Sequence, residues 1–259
     1  MKRLLLTRRE LYNSGRWDID FHLPPEGIKK FPKELLSRVD AAADIGKDKR
    51  DPLKNPEVAF QYIDISCIDV SVGVIATPQE LMGEEAPSRA RKVVQAFDIV
   101  VSTCRPTRGA IAVVPPHLHN QIASTGFSII RPKAGVNPFF LHYALRLVST
   151  LEQFRKWSTG SSYPAILDED VAKTLIPLPD AVVQDEIASK IMLAMNLRNR
   201  AIQGANRDWV QVLDNITHTL TGSSIALGAS VPESPIDDLF EVHTIKDIAN
   251  YLAELPSII

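Results

Sequence analysis

One repeat constrains this chain more than any other feature. Ala188, Met195, Ile202, Trp209 and Ile216 stand seven residues apart, and Ile191, Ala205 and Val212 each follow a member of that series by three. Apolar residues at steps of three and four share one side of an α-helix, and sustained over roughly five heptads they make the a/d seam of a coiled coil. The spacing predicts a helix from Val182 to Leu220, on the order of 60 Å long at ~1.5 Å per residue. A rod of that length cannot hide its whole stripe against a domain of this size, and the chain offers no second helix to match it. The seam therefore predicts a partner from another chain; the alternative is one long helix packed along its own domain. Arg198 interrupts the d series once, a polar break of the kind that fixes register or partner.

The remainder reads as an α+β fold in three parts: a domain over 1–180 with a mixed or antiparallel sheet, the long coiled-coil-forming helix over 181–221, and an acidic tail over 222–259 with a short amphipathic helix. With 259 residues, 45% hydrophobic, there is material for one good core plus an extra module. Residues 1–30 read as loop-rich and Pro32–Ala43 as a helix. Gly46–Pro56, charged and carrying two prolines, reads as a loop. From Val58 to Arg131, short β-branched runs (FQYIDIS, VGVIA, DIVVSTC, AIAVV, IASTGFSII) alternate with turn residues, as strands at hairpin spacing do. Arg105–Gly109 reads as a hairpin tip between two of them. Asn137-Pro138 is a helix cap with its first-turn proline, and Phe140, Ala144, Leu147, Leu151 and Phe154 carry one amphipathic helix to about Trp157. A loop over Ser158–Pro164 and a short strand over Leu175–Leu178 precede the rod. In the tail, Thr244 and Asp247 suit an Asp-type capping box before the stripe Ile245, Ile248, Leu252 and Leu255.

Net charge is −2, but it is unevenly spread. Between Ala86 and Pro132 stand Arg89, Arg91, Lys92, Arg105, Arg108 and Arg131 against the single anion Asp98, while the tail after Gly222 is strongly acidic. A phosphate-binding surface needs a local cationic patch rather than a basic whole; a solvated charged face is the other reading. No apolar run approaches the ~20 residues that cross a bilayer, and the N-terminus lacks the apolar stretch and cleavage site of a signal peptide. Cys67 and Cys104 have no metal-ligand spacing. A reduced, cytoplasmic protein is the simplest expectation.

Catalytic signatures are missing. There is no G-x-G, no P-loop, and no Asp-x-Lys or Glu-x-Lys of the commonest restriction nucleases. His117-Leu-His119-Asn120 lacks a nearby carboxylate or Cys and reads as a polar loop. Asn137-Pro-Phe-Phe140 only echoes the Asn-Pro-Pro-Tyr loop of amino-methyltransferases. Ser161, Ser162 and Tyr163 have no base placed to activate them. The expectation is a protein with no catalytic site, no metal and no cofactor.

An ordered set of segments resembles a known family. Arg16-Trp-Asp18 with Phe21-His-Leu-Pro24, Tyr62-Ile-Asp-Ile-Ser66 with Gly73, Ala86-Pro-Ser-Arg-Ala-Arg-Lys92, Asp98-Ile-Val-Val-Ser-Thr-Cys-Arg-Pro106, Ile122-Ala-Ser-Thr-Gly-Phe127, Gly160-Ser-Ser-Tyr-Pro164 and Ile176-Pro-Leu-Pro179 with Gln184 and Ile187 occur in that order. Together, over about residues 16–221, they resemble one repeat of the specificity (S) subunit of type I restriction–modification enzymes. The resemblance implies a target recognition domain that reads half of a split site on double-stranded DNA. It also implies a conserved spacer helix on which methyltransferase (M) subunits dock, two such helices pairing antiparallel in a full subunit. This chain departs by holding one of each, so two copies, or a second half-subunit, would rebuild the whole. A homodimer would read a two-part palindrome. A dimeric scaffold or regulatory protein of the same fold without DNA binding is the competing expectation.

On that resemblance Arg105 and Arg108 are the leading candidates to touch DNA, since arginine to guanine is the commonest base contact. Arg89, Arg91 and Lys92 are candidates for backbone phosphates, or for surface ion pairs. Ser102 and Ser124 either donate to phosphate or cap turns. Tyr163 either stacks on a base or packs in its turn. The partner seam is Ala188, Ile191, Met195, Ile202, Ala205, Trp209, Val212 and Ile216.

Overall fold

The computed structural model describes residues 5–23, 25–160, 162–222 and 242–255. Ser161, Pro24 and most of the acidic linker therefore lie outside the described residues. In chain order the elements are α1 (Arg8–Ser14), α2 (Ile19–His22), β1 (Leu36–Arg38), α3 (Val39–Ala42), β2 (Ala43–Ile45), β3 (Ala59–Ile63), β4 (Ile68–Asp69), β5 (Val74–Ile75), β6 (Gln79–Met82), β7 (Ala90–Val93), β8 (Ile99–Ser102), β9 (Ile111–Val113), β10 (Ile122–Ser124) and β11 (Phe127–Pro132). The helices α4 (Pro138–Arg146), α5 (Val148–Trp157) and α6 (Asp168–Ala172) follow, then β12 (Leu175–Pro177), α7 (Ala181–Thr221) and α8 (Ile245–Glu254).

The strands form a six-stranded sheet in the order β2-β11-β8-β9-β5-β4, a four-stranded sheet in the order β6-β3-β10-β7, and the pair β1-β12. Both larger sheets are mixed: β10 runs parallel to β3 and β5 parallel to β9, and the other ladders are antiparallel. All four residues of β8 are buried, which explains why its sequence, Ile-Val-Val-Ser, is nearly continuous apolar rather than alternating. One side of the six-stranded sheet packs on the helices through Ile99, Val101, Phe139, Leu141, Leu145 and Phe154. Val100, Ala112, Phe127 and Ile129 face a second core with Ile63, Ile75 and Leu118.

Two local expectations are corrected. Pro32–Ala43 is not one helix: Lys33–Leu35 makes a single 3-10 turn, Leu36–Arg38 pairs antiparallel with Leu175–Pro177, and α-helix is confined to Val39–Ala42. A cross-sheet ladder thus overrides the local pattern. Within the loop-rich first 30 residues α1 is well delimited: Thr7 and Glu10 form a reciprocal capping box, and Gly15 ends α1 in the left-handed region at φ 63°. The helix behind Asn137 starts as expected, the Asn137 side chain accepting from the amides of Phe139 and Phe140, but it breaks at Leu147, which is extended at ψ 143°. The Thr150 hydroxyl donates to the Ala144 carbonyl at 2.7 Å, satisfying a group that a continuous helix would have paired along its own backbone.

The long helix is present over Ala181–Thr221, capped by the Asp180 side chain and ended by Gly222 at φ 70°. Among the described residues no helix is long and apolar enough to cross a membrane.

Candidate nucleic-acid interface and helical seam

Three loops converge at one end of the sheets. The first follows β8: Arg105 sits in the left-handed region at φ 48°, and Pro106–Arg108 turns to Gly109 at φ 71°. The second is the β10–β11 turn, whose Gly126 carbonyl accepts from the Thr103 amide (2.8 Å) and hydroxyl (2.9 Å). The same turn ties to β7, the Thr125 amide donating to the Arg89 carbonyl at 2.8 Å. The third is the loop after α5, held to the first by Arg105 N–H to the Pro164 carbonyl (2.7 Å) and Ile166 N–H to the Thr103 carbonyl (3.0 Å). That clamp sets the Arg105 guanidinium 4.8 Å above the ring of Tyr163, and Tyr163 is 77% exposed. The hairpin tip expected from sequence is there, with a surface aromatic beside it.

The predicted contact residues then divide. Arg89, Arg108 and Tyr163 are exposed and Arg105 is half-exposed, all on or beside these loops. Arg91 leans back to Asp51 at 3.4 Å. Lys92 is turned inward, with Nζ donating to the Phe127 carbonyl at 2.7 Å and lying 3.3 Å from Asp168. Ser102 and Ser124 are buried at the ends of β8 and β10: the Ser102 hydroxyl donates to the Cys104 carbonyl and the Ser124 hydroxyl accepts from the Gly126 amide. Arg131, counted in the cationic stretch, forms a two-toothed pair with Asp98 (3.0 Å and 3.0 Å) and reaches Asp48 at 3.0 Å. Burial works against charge on Arg131, but its bonds to Asp98 and then Asp48 prevail and hold its pKa above the ordinary guanidinium value.

Sequence reasoning gave no role to the cleft beside Arg105. Arg16, Thr107, Arg155, Ser158, Thr159 and Gly160 line a surface cavity of about 570 Å³. The Arg16 Nη2 donates to the Ser158 carbonyl at 2.7 Å while Nε pairs with Asp18. Its signal was the Arg16-Trp-Asp18 segment, quoted for the resemblance but without an assigned function.

The seam is divided as well. At the root of α7, Gln184 is buried; its side-chain carbonyl accepts from the Asn137 amide at 3.0 Å and its amide donates to the Pro179 carbonyl at 2.8 Å. Ala188 and Met192 are buried in the domain core, with Ile187 and Met195 packed against it. Arg198 reaches the Ser71 hydroxyl of the same domain at 3.3 Å. Ala188 and Met195 thus contact the domain's own core, and Arg198 reaches back to the same lobe. Ile191 is half-buried and Ala205 exposed. Beyond Arg198 the stripe faces outward: Ile202 is 40% exposed, Trp209 62%, Val212 48%, Ile216 51% and Leu220 79%.

Among the described residues no group of His, Cys, Asp and Glu could hold a metal ion. No family model matches the chain. A stretch of 107 residues is 32% identical to the type I restriction enzyme HindI specificity subunit of Haemophilus influenzae, covering 40% of this chain and 23% of that one. The fold matches the HsdS subunit of Thermoanaerobacter tengcongensis with a TM-score of 0.57 and 38% identity, over 76% of this chain and 51% of the other. A second structure, solved for complex assembly and conformational transition of the type I R-M system, matches with a TM-score of 0.57 and 36% identity over the same shares. This chain thus spans about half the length of the solved relatives it matches.

Proposed function

We propose that this chain, a relative of the type I restriction–modification specificity subunits that spans about half their length, recognises DNA through the lobe built by residues 1–180 and assembles through the outer part of α7. The lobe reads one half-site with the cluster around Arg105, Arg108, Arg89 and Tyr163. The rod joins it to a second lobe and offers a place for M subunits, and the chain performs no chemistry itself.

The observation that carries this reading is the stripe beyond Arg198. Five large apolar side chains stand exposed along one run of helix, and covering what they still expose would gain roughly half or more of the ~1.5–3 kcal/mol that full burial of such a side chain brings. A monomeric soluble protein rarely presents such a continuous stripe unless a partner covers it. The loop cluster supplies what duplex recognition needs: arginines able to reach groove edges and phosphates, and an aromatic face.

The test is a gel shift on random and genomic duplex, with and without a co-purified M subunit, followed by mapping of methylated bases after co-expression. Binding whose affinity falls steeply with salt, and methylation at a two-part site, are expected. A second reading has its own observation: Lys92 and Arg131 are engaged internally, as in a scaffold that has kept the fold and lost DNA binding. A dimer with no salt-dependent affinity for any duplex would favour that reading instead.

A further inference from the structure

The tail helix α8 is seated on the lobe, close to the root of α7. Tyr251 meets Phe97 edge-on at 5.6 Å between ring centroids, and Ile248 is buried in the main core. The seat is polar at one end. The Asp185 carboxylate accepts from both the Asn137 side-chain amide (2.7 Å) and the Ile245 backbone amide (3.0 Å), and the Asn137 amide also donates to the His243 carbonyl (2.8 Å). A groove of about 390 Å³ between Gln95–Asp98, Pro132–Val136 and α8 marks the same seat.

The rod imposes a distance on this contact. Gly222 ends α7, and Asp185 lies near its start, so the two are on the order of 55 Å apart at ~1.5 Å per residue. The chain from Gly222 to Ile245 comprises roughly 23 steps; at ~3.3–3.6 Å each it can reach 55 Å, but a relaxed chain of that length spans only ~25–29 Å. To seat α8 on the chain's own lobe, any connection of that length must bridge about twice the span of a relaxed chain, and the effective concentration of α8 at that seat is correspondingly low.

An antiparallel pair of rods removes the strain. The exposed stripe runs from Ile202 to Leu220. If two copies pair about its middle, Gly222 of one stands opposite about residue 200 of the other. The partner's seat is then ~25 Å away, counting ~22 Å along the axis and an interhelical gap of ~8–10 Å, which is the relaxed span of the connection. We infer that α8 docks in trans, each copy's tail helix filling the groove at Phe97 and Asp185 on the lobe of a second copy, so that the dimer is held by two exchanged arms as well as by the seam. This rests on the dimeric reading proposed above.

The test uses the full chain with Cys104→Ser, Val136→Cys and Ala249→Cys, placing one thiol on each wall of the groove, treated with a short bismaleimide. Light scattering on the untreated protein reports the dimer separately. Joined dimers on a denaturing gel are expected. A protein that is dimeric in solution but joined only within single chains overturns the exchange and leaves the dimer intact. A monomer by light scattering overturns the dimer itself, and absence of any joined product overturns the docking of α8. A second variant deletes 228–238, leaving a connection that reaches at most ~43 Å at ~3.6 Å per residue. Its joined-dimer yield should match that of the longer chain, and loss of that yield also overturns the exchange.

Discussion

The guanidinium of Arg105 lies 4.8 Å above the ring of Tyr163, although 58 positions separate them in sequence. The pairing follows from Arg105 N–H donating to the Pro164 carbonyl, which draws the loop after α5 against the hairpin tip. Because Tyr163 is exposed, the stacked pair adds little to folding, on the order of 0.5–1 kcal/mol. Arg105→Ala should weaken duplex binding by about 5- to 100-fold and flatten the salt dependence by about one phosphate's worth if the contact is to the backbone. Lys92→Ala should instead lower the thermal midpoint and leave the salt slope alone, because its ammonium faces inward. Equal binding by wild type and Arg105→Ala would remove the hairpin tip from the interface.

Ile202→Asp with Trp209→Asp should give a monomer by light scattering, with an unfolding midpoint within a few degrees of wild type, since both side chains are exposed on the single chain. Ala188→Asp should behave differently. Ala188 is 0% exposed, so a carboxylate there must be buried unpaired, and the lobe itself should lose several degrees of stability. A dimer that tolerates the double substitution would place the seam elsewhere on α7.

Asp98 is 1% exposed, and its two oxygens are held by Arg131 and by the Gln95 amide. Arg131→Met would leave that carboxyl without its counter-charge. The expected cost is ~3–5 kcal/mol in urea unfolding. A loss below ~1 kcal/mol would mean that the pair contributes no more than a surface ion pair does.

His142 gives the lobe an acid-sensitive element. Burial, then the nearby charge of Arg146, lowers its pKa from 6.5 to about 3, against the weaker opposing pull of the Ile111 and Gly73 backbone. The folded lobe therefore keeps His142 neutral where the unfolded chain protonates it. The unfolded state binds the extra proton, so stability falls as pH drops from about 6.5 towards 3, by up to ~1.4 kcal/mol per unit from this group. Compared with wild type, His142→Gln should show a shallower loss over that window in urea titrations; parallel pH profiles would refute the assignment. Gly73 packs in the same place, and a Cβ there would stand 2.4 Å from the His142 ring. Gly73→Ala should accordingly destabilise the lobe at every pH.

The long helix, the Asn137 cap, the hairpin tip and most of the sheet were legible because each rests on local chemistry: a period of seven, a capping side chain before proline, β-branched runs between turn residues. What could not be read depends on contacts far along the chain. Nothing near Leu36 announces its pairing with Pro177, and the strand there displaced an expected helix. Composition counts Lys92 and Arg131 as cations for a partner, yet Asp168 and Asp98 claim them from distant elements. Ser102 and Ser124 were placed between phosphate donors and turn caps, and both lie buried, bonded within their own loops. The heptad pattern marked which side of α7 is apolar, but it could not tell the residues that face the lobe from those beyond Arg198, because both follow one period.

The root of α7 is locked by Gln184, Ala188 and Met192, and the tip stands clear. Anything added between them is converted into an angle. One residue inserted after Arg198 would advance the tip by ~1.5 Å but turn it by ~100°, swinging a partnered lobe to another side of the duplex. Seven would lengthen the rod by ~10 Å and restore the azimuth to within ~20°. In the proposed pair the spacing between the two lobes would therefore be quantised, and workable length variants should add seven, eleven or eighteen residues, which bring the azimuth back to within ~20°, rather than one or two.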